Sequence, residues 1–233
     1  MNDRYIRVLT VYYDTEISNK EIPFFRGAVL KSLGDKADLL FHNHVGEDKF
    51  RYAYPCIQYK RLGGKAAIVC VEEGVDLVGK LLSELSGPIN IGNREAECRV
   101  DRIESSKDVI QVEEEFSTYQ LYHWLPLNSK NYRDYLNTEG LVEKLTMLER
   151  ILANNILSFL KSIEVRLESH MDVHITDILS QRVVDYKGVK MMSFDIRFKA
   201  NISLPSYIGI GKSASMGHGT LIRIKKLNEH KYE

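Results

Sequence analysis

The chain is poor in the residues that build covalent and metal-held frameworks. Its 233 residues include three cysteines, Cys56, Cys70 and Cys98. Their odd number and wide spacing argue against a disulfide scaffold and a zinc site, and suit a reducing, cytoplasmic setting. No apolar run approaches the roughly 18 residues of a membrane span. The start, Met1-Asn2-Asp3-Arg4, precedes no apolar stretch of the kind a secretory signal needs. Net charge is also lacking, with 32 Lys+Arg against 32 Asp+Glu. What remains is ordinary for a soluble globular protein: 44% apolar and 27% charged residues. The length allows two small domains or one large one.

The balanced total hides an asymmetry. Residues 1–120 carry 16 Lys+Arg against 20 Asp+Glu, residues 121–233 carry 16 against 12, and from Lys187 onward the count is 9 against 3. A second basic cluster, Lys49, Arg51, Lys60, Arg61 and Lys65, has no acid between Asp48 and Glu72. Local basic stripes on a neutral protein suit a polyanion footprint. The competing explanation is solvated strand edges, which often carry lysine.

Hydrophobic periodicity suggests two units. Tyr5 to Tyr13 is β-branched and aromatic, a strand. Ile22 to Leu33 is a helix, with Pro23 in its first turn and Gly34 at its end. Leu39 to Val45 and Tyr52 to Leu62 read as extended, and Gly63-Gly64 turns the chain into a strand, Lys65 to Val71. Val75 to Leu85 is a second helix. Glu97 to Ile103 and Val109 to Phe116 follow as strands across a Ser105-Ser106-Lys107-Asp108 turn. This is the β-α-β-β-α-β order of a ferredoxin-like unit. From Ser117 a similar order restarts. An extended Tyr119 to Leu127 precedes a polar loop over Asn128 to Asn137. A long helix from Glu139 to Ser162, capped by Thr138, carries Leu141, Leu145, Leu148, Leu152, Ile156 and Phe159 on one face. A hairpin then turns at Tyr186-Lys187-Gly188. The expected fold is α+β, two tandem ferredoxin-like (RRM-like) α/β sandwich domains, divided into residues 1–116 and 117–233.

The second unit contains Gly209-Ile210-Gly211-Lys212-Ser213-Ala214-Ser215-Met216-Gly217-His218-Gly219. Two G-x-G pairs flank a five-residue insert holding a lysine and two serines. Glycines permit left-handed backbone and close approach to a ligand, and successive bare N–H groups bind anions. A phosphate is the ligand such a loop suits. The nucleotide motifs do not fit. The phosphate loop of nucleotide hydrolases needs G-x-x-x-x-G-K-[ST], but only one residue separates Gly211 from Gly209. The dinucleotide fingerprint needs a third glycine where Ala214 stands, and a helix after it. Here Thr220 to Lys225 alternates like a strand. Taken alone, the loop also fits a glycine-rich hairpin without a ligand.

The wider pattern resembles the CRISPR precursor-RNA processing endoribonucleases, within the superfamily of repeat-associated RNA-binding proteins built from ferredoxin-like folds. The glycine loop is similar to that superfamily's signature. Lys187-Gly188, Met192-Ser193-Phe194-Asp195, Phe198-Lys199-Ala200-Asn201 and Leu204-Pro205-Ser206-Tyr207-Ile208-Gly209 resemble its b-type subgroup. So do Trp124-Leu125-Pro126-Leu127-Asn128, Phe25-Arg26-Gly27, His42-Asn43-His44 and Tyr54-Pro55-x-x-Gln58-Tyr59-Lys60. His218 departs from the pattern, standing where the second G-x-G usually carries an aromatic or aliphatic residue.

The resemblance implies metal-free RNA cleavage without a cofactor. The 2′-hydroxyl attacks the adjacent phosphorus and leaves a 2′,3′-cyclic phosphate. That reaction needs a base, an acid and positive charge on the phosphorane. His42 and His44, two residues apart in an extended segment, point to one side and suit both proton transfers. Their place after the first helix is similar to that of the family's catalytic histidines. Lys31, in the last turn of that helix, fits the cationic stabiliser, and Tyr52 and Tyr54 fit groups that orient the 2′-hydroxyl or stack on a base. For the RNA backbone the candidates are Gly209, Gly211, Lys212, Ser213, Ser215, Gly217, His218 and Gly219. Arg197, Lys199, Arg223 and Lys225, on strands flanking the loop, are further phosphate candidates. His42-Asn43-His44 is contiguous and so does not match the metal-dependent H-N-H motif. His170 and His174 lack a third histidine nearby, and His123 reads as packing or surface. The partner implied is CRISPR repeat RNA, with no membrane; a homodimer and association with effector-complex subunits are left open. Two other classes stay open: a non-catalytic RNA-binding subunit of an effector complex, which would not need the His42/His44/Lys31 cluster, and a cyclase-like nucleotide enzyme, which would want paired metal-binding aspartates that are not seen at a strand turn.

Overall fold

A computed structural model describes residues 5–34, 54–85, 87–186 and 188–224. Two four-stranded antiparallel sheets organise them. The first runs β2 (Ile57–Leu62), β3 (Lys65–Val71), β1 (Tyr5–Glu16), β6 (Val100–Val109). The second runs β10 (Thr220–Ile224), β7 (Val112–Trp124), β9 (Val189–Ile202), β8 (Val173–Tyr186). Counted within its own unit, each sheet has its first strand between its third and fourth, and its second strand outside the third. That is the ferredoxin-like order, repeated.

Helix α1 (Ile22–Leu33) begins with proline in its first turn and ends at Gly34, φ +49°, whose N–H returns to the Leu30 carbonyl. It buries Phe25, Val29 and Leu33 on one face of the first sheet, together with Val78 and Leu81 of α2 (Val78–Glu84). The sheet contributes Val11, Tyr13, Tyr59 and Ile68 to that layer. Its other face is apolar as well. Ile6, Val8, Val69 and Val71 join the core of the second unit, so the two units share one continuous apolar interior. This explains why β3 is buried on both faces from Ala66 to Val71. Each large apolar side chain buried there contributes about 1.5–3 kcal/mol.

The second core forms under the long helix α4 (Leu141–Ser162), where Leu148, Leu152, Ile156 and Phe159 are buried. Gly140, rather than Thr138, is its N-cap residue. The expected loop at Asn128–Asn137 is a helix, α3 (Ser129–Asn137). The Asn128 side chain caps it by accepting from the Lys130 and Asn131 N–H groups. Only Tyr135 of that helix is buried, so it shows little apolar periodicity.

The strands after α2 also differ from expectation. A separate two-stranded hairpin, β4 (Gly87–Ile91) and β5 (Arg94–Cys98), comes first. Ser105 to Asp108 is not a turn but lies inside β6, paired along β1 through Leu9↔Ser105 and Ile6↔Asp108. The chain crosses to the second sheet at Ile110-Gln111, and β7 is already paired at Val112↔Ile202. Cys56, Cys70 and Cys98 form no disulfide among the described residues.

Candidate nucleic-acid interface

Where the first unit places α2 between its third and fourth strands, the second places the glycine loop. The loop leaves β9 and closes on the start of β10. Ile210 N–H donates to the Gly219 carbonyl at 2.7 Å, Leu221 N–H donates to Ile208 at 2.9 Å, and Gly209 bridges Thr220. Between them sits one 3-10 turn, Ala214–Met216, flanked by Ser213 at φ +62° and Gly217 at φ +78°.

The glycines answer crowding inside the protein. A Cβ on Gly219 would fall 1.9 Å from the Ile210 carbonyl oxygen, and one on Gly209 2.6 Å from Ala214 Cβ. On Gly211 it would meet Asn155 Oδ1 at 2.7 Å, and on Gly217 it would meet Ile22 Cδ1 at 2.7 Å. Three of the four, Gly211, Gly217 and Gly219, also have positive φ. The close approach read from the sequence as serving a ligand is therefore made first to the protein itself. The outward side differs. Lys212 is exposed, with Nζ 5.7 Å from the centre of the Tyr186 ring. The N–H groups of Gly211, Lys212 and Ser213 have no hydrogen-bond partner among the described residues.

The loop is held by both units. Gly209 N–H donates to the Tyr54 hydroxyl at 3.1 Å, and the Tyr54 ring leans on Phe159 with centroids 4.8 Å apart. Lys60 Nζ, in β2, donates to Thr220 Oγ1 at 3.1 Å, and that hydroxyl donates to the Gly217 carbonyl at 3.1 Å. Lys60 is wholly buried. It is thus no part of a surface basic cluster. Burial without a counter-charge pushes its amine down to about 7. Of the others named with it, Lys49 and Arg51 lie outside the described residues, while Arg61 Nε donates to the Ile17 carbonyl at 2.6 Å and Lys65 pairs with Asp101 at 3.7 Å.

Two histidines stand behind the loop. His218 Nδ1 lies 3.1 Å from the His123 carbonyl. A carbonyl only accepts, so Nδ1 carries the proton. The His218 ring meets Tyr186 edge-on at 5.5 Å. Burial lowers its pKa, and the positive charges of His123 and Lys60 act the same way against that hydrogen bond. His123 is a hub. Its φ is +55°, its N–H donates to Asp195 Oδ1 at 2.7 Å, and its Nε2 lies 3.1 Å from Asn19 Nδ2 of the first unit. Its Nδ1 meets Arg182, which also pairs with Asp195 at 3.0 Å. Burial lowers the His123 pKa, Asp195 opposes this, and Arg182 and Arg61 add to it. A cavity of about 520 Å³ opens beside this hub between the units, lined in part by Tyr12, Arg61, Arg102, His123 and Tyr207.

The remaining sequence candidates separate. Arg197 pairs across β7 with Gln120, and Lys199 with Thr118, so these two share a face; Arg223 pairs with Tyr119 and takes the other. Arg197 is engaged by Asp177 at 3.4 Å, and Arg223 by Ser117 at 2.8 Å and Glu113 at 3.7 Å. Ser213 and Ser215 lie half-buried in the loop, and Lys199 is exposed. Lys31 is exposed in the last turn of α1, whereas Gly217 packs on Ile22 in its first turn. Nine residues of helix separate them, about 13 Å at the α-helical rise. His42, His44, Tyr52 and Lys225 lie outside the described residues. The sequence missed Lys60 and His123 as parts of this region. The signals were a lysine between Tyr59 and Arg61 in β2 and a histidine one residue before Trp124.

This geometry agrees with what the chain matches. A family model described as the Cas6b N-terminal domain matches residues 4–108, and one described as the Cas6b C-terminal domain matches residues 111–224.

The chain belongs to the Cas6b family.

It is a Cas6b-type CRISPR RNA-processing protein with a ferredoxin-like double fold. A solved structure titled as a crystal structure of Cas6b superposes with a TM-score of 0.86 at 25% identity, covering 95% of this chain and 100% of that one. A second, of a CRISPR RNA processing endoribonuclease Cas6b, gives 0.74 at 22% identity, again covering 95% and 100%. An uncharacterised protein of Methanocaldococcus jannaschii, MJ0978, is 37% identical over 105 residues, 44% of this chain and 69% of that protein. Among the described residues no helix of this Cas6b chain is long and apolar enough to cross a membrane.

Proposed function

We propose that this Cas6b chain is a metal-independent endoribonuclease that cuts the repeat in CRISPR precursor RNA and releases guide RNAs. The first unit carries the chemistry and the second grips the RNA. The observation that carries the reading is the glycine loop. It is pinned to both units from within, while Lys212 is exposed and the N–H groups of Gly211, Lys212 and Ser213 have no hydrogen-bond partner among the described residues. Unpartnered backbone donors beside one exposed cation suit a phosphodiester backbone and read no base.

Cleavage follows from the groups assigned to the first unit. His44 and His42 between them supply the base at the 2′-hydroxyl and the acid at the 5′-oxygen, in either order, and Lys31 stabilises the phosphorane charge. The 2′-oxygen forms a bond to phosphorus as the 5′-oxygen leaves, giving a 2′,3′-cyclic phosphate and a 5′-hydroxyl. Tyr54 serves the grip, since its hydroxyl takes the Gly209 N–H. The test is purified protein with a cognate repeat RNA in EDTA. Cleavage to a cyclic-phosphate end, blocked by one 2′-deoxy substitution at the scissile nucleotide, is expected. Intact RNA in EDTA overturns the catalytic reading, and bound but uncut RNA would instead mark a non-catalytic binding subunit.

A further inference from the structure

We propose that Lys60 is a positioning residue for the glycine loop, acting through Thr220 to hold the loop's closing end in register with the first unit. The proposal rests on the RNA-gripping reading above.

Lys60 is an unusual choice for its site. It lies in β2 opposite Ala67, which in turn lies opposite Tyr12 of β1, and it is completely buried. No carboxylate among the described residues pairs with it. The groups around it are the Thr220 hydroxyl and, more distantly, the His218 ring, whose positive form it opposes. A buried amine without a counter-charge costs stability that a methionine of similar length would not. What the amine supplies is a donor. It reaches Thr220 Oγ1, which passes the restraint to the Gly217 carbonyl at the end of the 3-10 turn. The other ties from that end stay within the second unit: Ile210 N–H to the Gly219 carbonyl at 2.7 Å, His218 Nδ1 to the His123 carbonyl at 3.1 Å and Gly219 N–H to the same carbonyl at 3.3 Å. Besides the packing of Gly217 on Ile22, the Lys60–Thr220 bond is the hydrogen bond among the described residues that reaches this end from the first unit, and it fixes the loop's height above β2.

The experiment combines Lys60→Met, Thr220→Val and the double variant. Amide hydrogen exchange over residues 209–219 is read in the free protein, and affinity for repeat RNA is read beside it. If Lys60 acts through Thr220, each single variant speeds exchange in the loop and weakens RNA binding about tenfold, and the double variant is no worse than either. Wild-type exchange and wild-type affinity in Lys60→Met would overturn the proposal, and so would additive losses in the double variant. Should Lys60→Met fail to fold, Lys60→Leu, which also removes only the buried amine, takes its place, since Thr220→Val by itself also removes the bond to the Gly217 carbonyl. The exchange arm needs no RNA. If the wild-type protein neither binds nor cuts repeat RNA, the functional reading falls while the loop restraint is still judged.

Discussion

The two units of this chain share a strand order and differ in one crossover. Between its third and fourth strands the first unit runs through α2, which buries Val78 and Leu81 against the sheet. The second unit spans the same topological gap with the glycine loop, whose contacts are mostly backbone to backbone and glycine to neighbour. A helix satisfies its own N–H groups and covers apolar surface. The loop does neither fully, and that leaves donors to offer. The same fold thus yields a stability-bearing crossover in one copy and, in the proposed reading, a binding crossover in the other. The cost of leaving out the helix is met from outside the second unit, by Tyr54, Lys60 and the packing of Ile22.

Substitutions can break this contrast. The largest effect belongs to Gly219→Ala, where the new Cβ meets a carbonyl oxygen at positive φ. Loop distortion should weaken repeat-RNA binding by about 100-fold or more in a filter-binding assay. Lys60→Met should raise the melting temperature by about 5 °C at pH 7, even as it loosens the loop. The sign follows from linkage. The folded-state pKa of Lys60 is about 7 against an ordinary 10.5. Between those values the unfolded chain holds a proton that the folded chain lacks, so the penalty is complete below pH 7 and shrinks as pH rises toward 10.5. Melting curves at pH 7 and pH 10 should therefore show the gain fading at the higher pH. Lys212→Ala comes next. It should leave melting unchanged, weaken RNA several-fold and reduce the salt slope of binding by about one contact. The smallest effect is expected in the other crossover. A Cβ on Gly79, inside α2, meets nothing within 4 Å. Gly79→Ala should stabilise by about 0.5–1 kcal/mol in urea unfolding and leave RNA binding alone.

The sequence showed the first unit's order because α1 carries clear start and stop residues and β3 is a continuous apolar run. It missed α3, since one buried tyrosine gives no helical period. It misplaced β6, an edge strand exposed over most of its length, where solvent on both faces removes the alternation that marks a strand. The glycine loop was legible as a motif, but its glycines were assigned to ligand approach when the protein's own atoms fill those spaces. Lys60 was counted as surface charge. Only tertiary packing, with the second unit lying over β2, turns it into a buried donor.

In the proposed function labour is divided between the units, with grip at the glycine loop and chemistry at His44 and its neighbours. Single-turnover cleavage of repeat RNA by His44→Ala and by Lys212→Ala, each over a range of protein concentration, tests that division directly. His44→Ala should bind as the wild type does and lose cleavage by about 100-fold or more. Lys212→Ala should need more protein to saturate and then cut at the wild-type rate. If His44→Ala keeps its rate, or if Lys212→Ala at saturation is as slow as His44→Ala, the division is wrong.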